Sequence, residues 1–124
     1  MITAKSGEPG FLVRFSNGLS EALADAGLDK GGTGQGFRPH DLLEASLAAC
    51  MNMHVRMYAA EHSLPLTEVR TTVTLDRGNP QETVFHYDIA VEGPLTEAQR
   101  KQVLASALDC PVRKTLSRPM CFKG

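Results

Sequence analysis

RPHDLLEASLAACMNMHVRMYAAEH, residues 38–62, carries the longest uninterrupted helical pattern in the chain. Pro39 suits a first helical position, where its missing N–H costs nothing. Asp41 favours the positive end of the helix dipole. From Asp41 to His62 there is no Gly or Pro, and at about 1.5 Å per residue such a helix is roughly 33 Å long. Apolar, small or weakly polar residues recur at 43, 47, 50, 54 and 57 and again at 42, 46, 49 and 53. Two adjacent stripes predict a wide buried face. In a chain of 124 residues a helix of this length must be central, covered by sheet or by a second subunit.

Strands are predicted on both sides of it. Upstream, Phe11–Phe15 reads as a strand, Asn17-Gly18 as a hairpin turn, and Leu19–Ala24 as the returning strand. Between them and the helix, Gly31-Gly32-Thr33-Gly34-Gln35-Gly36 lacks the Lys-Ser/Thr ending of a phosphate-binding loop and reads as a turn or mobile loop. Downstream, Val69–Leu75 and Thr83–Val91 flank Gly78-Asn79-Pro80 and make a long antiparallel hairpin. Thr96 with Gln99 has the form of a capping box opening a helix to about Leu108. Pro111 starts a further short helix over 111–116, and Met120-Cys121-Phe122 reads as a closing strand. The order β-β-α-β-β-α-α-β, with strands in antiparallel pairs, places the chain in the α+β class as one domain over 1–124.

Composition narrows the function. The chain is 42% hydrophobic and 22% charged, with a net charge of −1. A protein that binds nucleic acid through its phosphates usually carries a basic surplus, and none is present. No run of eighteen apolar residues could span a membrane, and MITAKSGEPGF lacks an apolar signal core. A cytoplasmic protein is expected. Three cysteines in such a chain are not a disulfide framework; they are buried small residues, metal ligands or reactive thiols.

Cys50 lies in the apolar stripe of the long helix, where core filler is the plain reading. His54 follows one turn later on the same face. Two such residues do not make a zinc site, which needs three or four ligands, and no metal is expected. Cys110 stands at a helix start before Pro111, where backbone N–H groups and the dipole favour a thiolate, with Asp109 opposing. Cys121 looks like a strand-core residue. Two thiols of this kind could act in turn, one attacking an oxidant and the other condensing with the sulfenic acid. Such a cycle needs a cation for the first thiolate, for which Arg14 and Arg38 are candidates. Arg38 lies about three helical turns, roughly 18 Å, before Cys50.

The stretch Arg38–Met51 resembles the motif that opens the central helix of the OsmC/Ohr family, the osmotically inducible and organic hydroperoxide resistance proteins. Cys110-Pro111-Val112-Arg113-Lys114-Thr115-Leu116-Ser117 resembles that family's C-terminal Cys-Pro-Val segment. Gly31-Gly32 and the order of elements fit as well, and the similarity covers nearly the whole chain. The resemblance implies an OsmC-like fold with antiparallel sheets around a long buried central helix, in an intertwined homodimer with active sites at the subunit interface. It also implies a cysteine-based, peroxiredoxin-type peroxidase that reduces organic hydroperoxides. Cys50 would be peroxidatic and Cys110 resolving, the pair would be regenerated by dihydrolipoyl proteins or small dithiols, and no cofactor would take part. The family's best-matched peroxidases carry Glu ten residues before the first Cys, paired with an N-terminal Arg. Here position 40 is His and the nearest acid is Asp41, an arrangement similar to a shorter OsmC-like subgroup. Arg14 would fill the Arg role. The alternative reading is a non-peroxidase member that binds or processes a small apolar or thiol-bearing ligand at the dimer interface.

Overall fold

The computed structural model describes all 124 residues, which divide into two compact units, Met1–Leu43 and Glu44–Gly124. In the first, β1 (Thr3–Ser6), β2 (Val13–Ser16) and β3 (Glu21–Ala24) form an antiparallel sheet in that order. The β2–β3 hairpin was legible in the sequence. Asn17 Oδ1 accepts from the N–H groups of Leu19 and Ser20, and Gly18 takes the positive φ of 93° that the turn demands. β1 was not foreseen. All four of its residues are exposed, so it has no apolar alternation to read, and pairing of Ala4 with Phe15 and Lys5 with Arg14 recruits it.

The glycine-rich segment is a fastened loop. The buried Asp25 carboxylate accepts from Ala26 N–H, Thr33 N–H and Thr33 Oγ1, at 2.7–2.8 Å. The Thr33 hydroxyl contributes most to holding that carboxyl below its usual range, followed by the Thr33 N–H. A Cβ at Gly32 would collide with the carbonyl of Ala26, so the backbone closes there only because the residue is glycine.

The long helix α1 runs from Pro39 to Glu61, as its lack of breakers predicted. Its C-terminus is a Schellman turn: Leu64 N–H reaches Ala59 O at 2.8 Å, Ser63 N–H reaches Ala60 O at 3.2 Å, and Ser63 sits at φ 52°. In the second unit α1 buries one stripe, Leu47, Met51, Val55 and Ala59, which shares only Leu47 with the two expected. The neighbouring stripe stays open, with Ser46 and Ala49 exposed and Met53 and Met57 50% and 59% exposed.

β4 (Glu68–Asp76) and β5 (Val84–Glu92) form a two-stranded antiparallel sheet, in register from Glu68 opposite Glu92 to Asp76 opposite Val84. Val69, Thr71, Val73 and Leu75 alternate inward along β4. Three α1 positions spaced four apart fasten the helix to this strand. Glu44 Oε1 accepts from Leu75 N–H, Ala48 O accepts from the Thr71 hydroxyl, and Asn52 Nδ2 donates to Val69 O, all at 2.8–2.9 Å. Two of the three bonds satisfy backbone groups of β4 itself, Leu75 N–H and Val69 O.

α2 (Glu97–Ser106) begins with the expected capping box on Thr96 and Gln99, and packs Val103 and the following Ala107 against Val55 and Val91. α3 (Pro111–Leu116) follows a short turn of 3-10 helix, Ala107–Asp109. The expected closing strand at 120–122 is not formed. The segment pairs with neither sheet, and Met120, Cys121 and Phe122 are all exposed, which removes Cys121 from the core. No helix is long and apolar enough to cross a membrane.

Candidate active site

The residues that could do chemistry meet where α1 passes the start of α3. Cys110 has no exposed surface and packs in one apolar cluster with Leu47 and Met51 of α1. Val73, Phe85 and Ile89 of the β4–β5 hairpin close that cluster, together with Cys50, Val112 and Leu116. The two thiols, sixty positions apart in sequence, are brought into this one cluster.

Their surroundings differ. Burial pushes the Cys110 thiol above its ordinary range, and the neighbouring Cys50 thiol adds to the effect. The N–H groups of Arg113 and Val112 pull the other way and are outweighed. This corrects the sequence expectation of a thiolate favoured by the helix start. The helix-start effect is confined to one turn, and α3 has only six residues, whereas apolar cover from three elements is complete. Asp109, expected to oppose a thiolate, is exposed and sits 3.6 Å from Lys114 Nζ.

Cys50 is half-buried and opens onto a cavity of about 320 Å³. Ser46, Ala49, Met53, His54 and Met57 of α1 line it, together with Pro111 and Val112 of α3. His54 therefore shares a cavity with Cys50, as its spacing predicted. Of the lining residues, Ser46, Ala49 and Met53 stood in the sequence in one apolar stripe and Met57 in the other, and both stripes were assigned to a buried face. Helical spacing from Cys50 was the signal that could have marked them as a wall.

The remaining candidates lie in the first unit. Arg38 grips Asp41 through two side-chain contacts, Nε to Oδ2 at 3.1 Å and Nη2 to Oδ1 at 2.7 Å, and its N–H adds a third at 2.9 Å. These bonds hold the Asp41 carboxyl below its usual range. The carboxylate thus closes the N-terminal turn of α1. His40 beside it is exposed. Arg14 on β2 faces Glu21 of β3 at 3.5 Å, with both side chains more than half exposed.

Comparison with solved structures finds the same fold. A protein of Psychrobacter arcticus 273-4, described as an osmotic stress induced and detoxification response protein, is 28% identical with a TM-score of 0.73, over 93% of this chain and 88% of that one. An organic hydroperoxide resistance protein of Vibrio cholerae, with captopril bound in one of its active sites, is 25% identical with a TM-score of 0.68, over 94% and 82%. The organic hydroperoxide resistance protein OhrB of Bacillus subtilis is 20% identical with a TM-score of 0.64, over 94% and 89%, a likeness of fold. No match is found among the curated proteins. The sequence model of the OsmC-like proteins matches residues 32–123, which spans both cysteine motifs and most of the chain, and the chain belongs to that family.

Proposed function

We propose that this protein is a thiol-dependent peroxidase that reduces organic hydroperoxides, with residues 1–124 acting as one OsmC-like domain of a homodimer. The observation that carries the reading is the pair of thiols packed in one apolar cluster, one buried and one opening onto an apolar cavity. Cys50, as thiolate, attacks the terminal oxygen of ROOH. The O–O bond breaks, a sulfenic acid forms on Cys50, and the departing alkoxide takes a proton to leave as ROH. His54, in the wall of the same cavity, supplies that proton. Cys110 then attacks the Cys50 sulfur, water leaves, and a disulfide closes. A thiol reductant restores both thiols.

The apolar lining selects the alkyl or aryl group of ROOH, which water or H2O2 cannot match. Arg14 is the cation proposed to steady the Cys50 thiolate. Its pair with Glu21 is long and exposed, and a contact of that kind is worth little, so it is readily exchanged. Arg38 is committed to Asp41. The open stripe on α1 around Met53 and Met57 suits cover by a second subunit.

Peptide mapping without reduction, after stoichiometric cumene hydroperoxide or H2O2, tests the reading. A Cys50–Cys110 disulfide that forms faster with the organic peroxide supports it. Two free thiols after either treatment would refute it. The outcome would then favour a second reading, motivated by the captopril-bound relative, in which the cavity holds a small thiol-bearing molecule without turning it over.

A further inference from the structure

We propose that the Cys50–Cys110 disulfide is reopened from one side only: the incoming thiol attacks Sγ of Cys50 through the cavity, and Cys110 is the sulfur that leaves. This rests on the disulfide cycle proposed above and adds the direction of its reductive half. Three observations point to it. Cys110 has no exposed surface in the single subunit, and a partner subunit can add cover but remove none. Cys50 is half-buried and forms part of the cavity wall. The backbone at Cys110 is pinned, its N–H on Ala107 O at 3.2 Å and its carbonyl accepting Lys114 N–H at 3.1 Å, so the main chain that carries the sulfur stays under its apolar cover while α3 stays folded.

Because the two thiols share one apolar cluster, the cover over Cys110 persists around the disulfide. In-line attack needs the nucleophile, the attacked sulfur and the leaving sulfur on one axis. An attack on Cys110 would have to pass Leu47, Met51 and the hairpin that cover it. An attack on Cys50 comes from the cavity that Cys50 lines.

One effect opposes this direction. A buried thiol of raised pKa is the poorer leaving group. That handicap is graded, whereas a closed approach stops the reaction altogether, so access decides. The step balances as RS⁻ plus Cys50–S–S–Cys110 giving RS–S–Cys50 and the Cys110 thiolate. The thiolate then takes a proton to become the buried thiol. A second reductant thiol attacks the RS sulfur, releases Cys50 and carries away the oxidising equivalents as RS–SR.

The test uses the full chain with Cys121→Ser, oxidised to the disulfide by diamide so that it does not depend on hydroperoxide turnover. The sample is exposed briefly to excess 2-mercaptoethanol, quenched in acid, denatured with N-ethylmaleimide and mapped by mass spectrometry. The expected product carries mercaptoethanol on Cys50 and maleimide on Cys110, in roughly tenfold or greater excess over the reverse. Mercaptoethanol on Cys110, or on both sulfurs equally, would overturn the proposal. Should no adduct accumulate, the single-thiol proteins decide. Cys110 in Cys50→Ser is expected to react with Ellman's reagent at least about a hundredfold slower than Cys50 in Cys110→Ser. Equal rates would overturn the proposal. If diamide forms no Cys50–Cys110 bond, both readings fail. If the adduct sits on Cys50 in a protein inert to cumene hydroperoxide, the peroxidase reading alone fails.

Discussion

Cys50 and Cys110 pack in one apolar cluster, yet only Cys110 is fully buried. In the proposed cycle this asymmetry suits Cys50 to the first chemical event and Cys110 to the second, and the two variants should therefore fail differently. Cys50→Ser is expected to abolish hydroperoxide reduction. Cys110→Ser is expected to keep its first turnover within about threefold of wild type and to lose steady-state turnover at least a hundredfold, roughly. Rapid-mixing consumption of cumene hydroperoxide, with dimedone trapping of the sulfenic acid, measures both. Steady-state turnover retained by Cys110→Ser would refute the resolving role.

The buried Cys110 thiol also sets a pH dependence of stability. Its folded pKa is raised, while the unfolded chain titrates near the free value of about 8.5. Between these two values the unfolded state binds fewer protons than the folded state, so stability falls as pH rises. The contribution is fully present below about pH 8 and is lost toward the folded pKa. Urea unfolding of the reduced protein at about pH 7 and pH 9.5 should show a lower midpoint at the higher pH, and Cys110→Ala should flatten that difference. An equal alkaline loss in the variant would assign it to other groups.

The cavity wall predicts selectivity. Met57 lies two turns beyond Cys50 on α1 and lines the same cavity, yet its side chain is more exposed than buried, so a polar replacement leaves the fold intact. Met57→Asp should lower kcat/KM for cumene hydroperoxide about ten- to a hundredfold, the worth of one apolar side-chain contact, and leave H2O2 within about threefold. Parallel loss with both peroxides would show that the residue does not read the organic group.

His54 can be separated from a packing role by its leaving-group dependence. Removing an acid from the transition state typically costs about a hundredfold or more, and the cost grows with the basicity of the departing oxygen. His54→Gln should therefore lose more rate with tert-butyl hydroperoxide than with a peroxy acid, whose carboxylate leaves without help. An equal loss with the two would mean that His54 only packs.

Much of this was legible from local pattern. The breaker-free run after Pro39, the alternation Val69, Thr71, Val73, Leu75 and the Thr96–Gln99 box each became the expected element. The failures share a physical cause. β1 and the segment at 120–122 are decided by whether a partner edge is available, which no residue in either stretch encodes. The second stripe of α1 has the right period, but period does not tell a buried face from a cavity wall awaiting substrate or partner. Both cysteines were found, but the ionisation of Cys110 was inferred from its helix start. The cover that reverses it comes from Leu47, Met51, Val73, Phe85 and Ile89, all distant in sequence.

The end of α1 offers a change in the stabilising direction. Ser63 holds φ 52° at the position where a Schellman turn ordinarily uses glycine. A non-glycine residue in the left-handed region costs about 1–2 kcal/mol. Glycine returns roughly 0.5–1 kcal/mol of that through the extra freedom of the unfolded chain. The Ser63 N–H to Ala60 and Leu64 N–H to Ala59 bonds are backbone only, so Ser63→Gly keeps both. Leu64, whose side chain packs on the Val55–Val103 cluster, is also untouched. The variant should gain about 0.5–1 kcal/mol, a rise of roughly 2–6 °C in Tm, without altering thiol reactivity. Calorimetry against Ser63→Ala, which keeps the strain, measures the difference. A Tm unchanged or lowered by glycine would mean that the turn is not strained at Ser63.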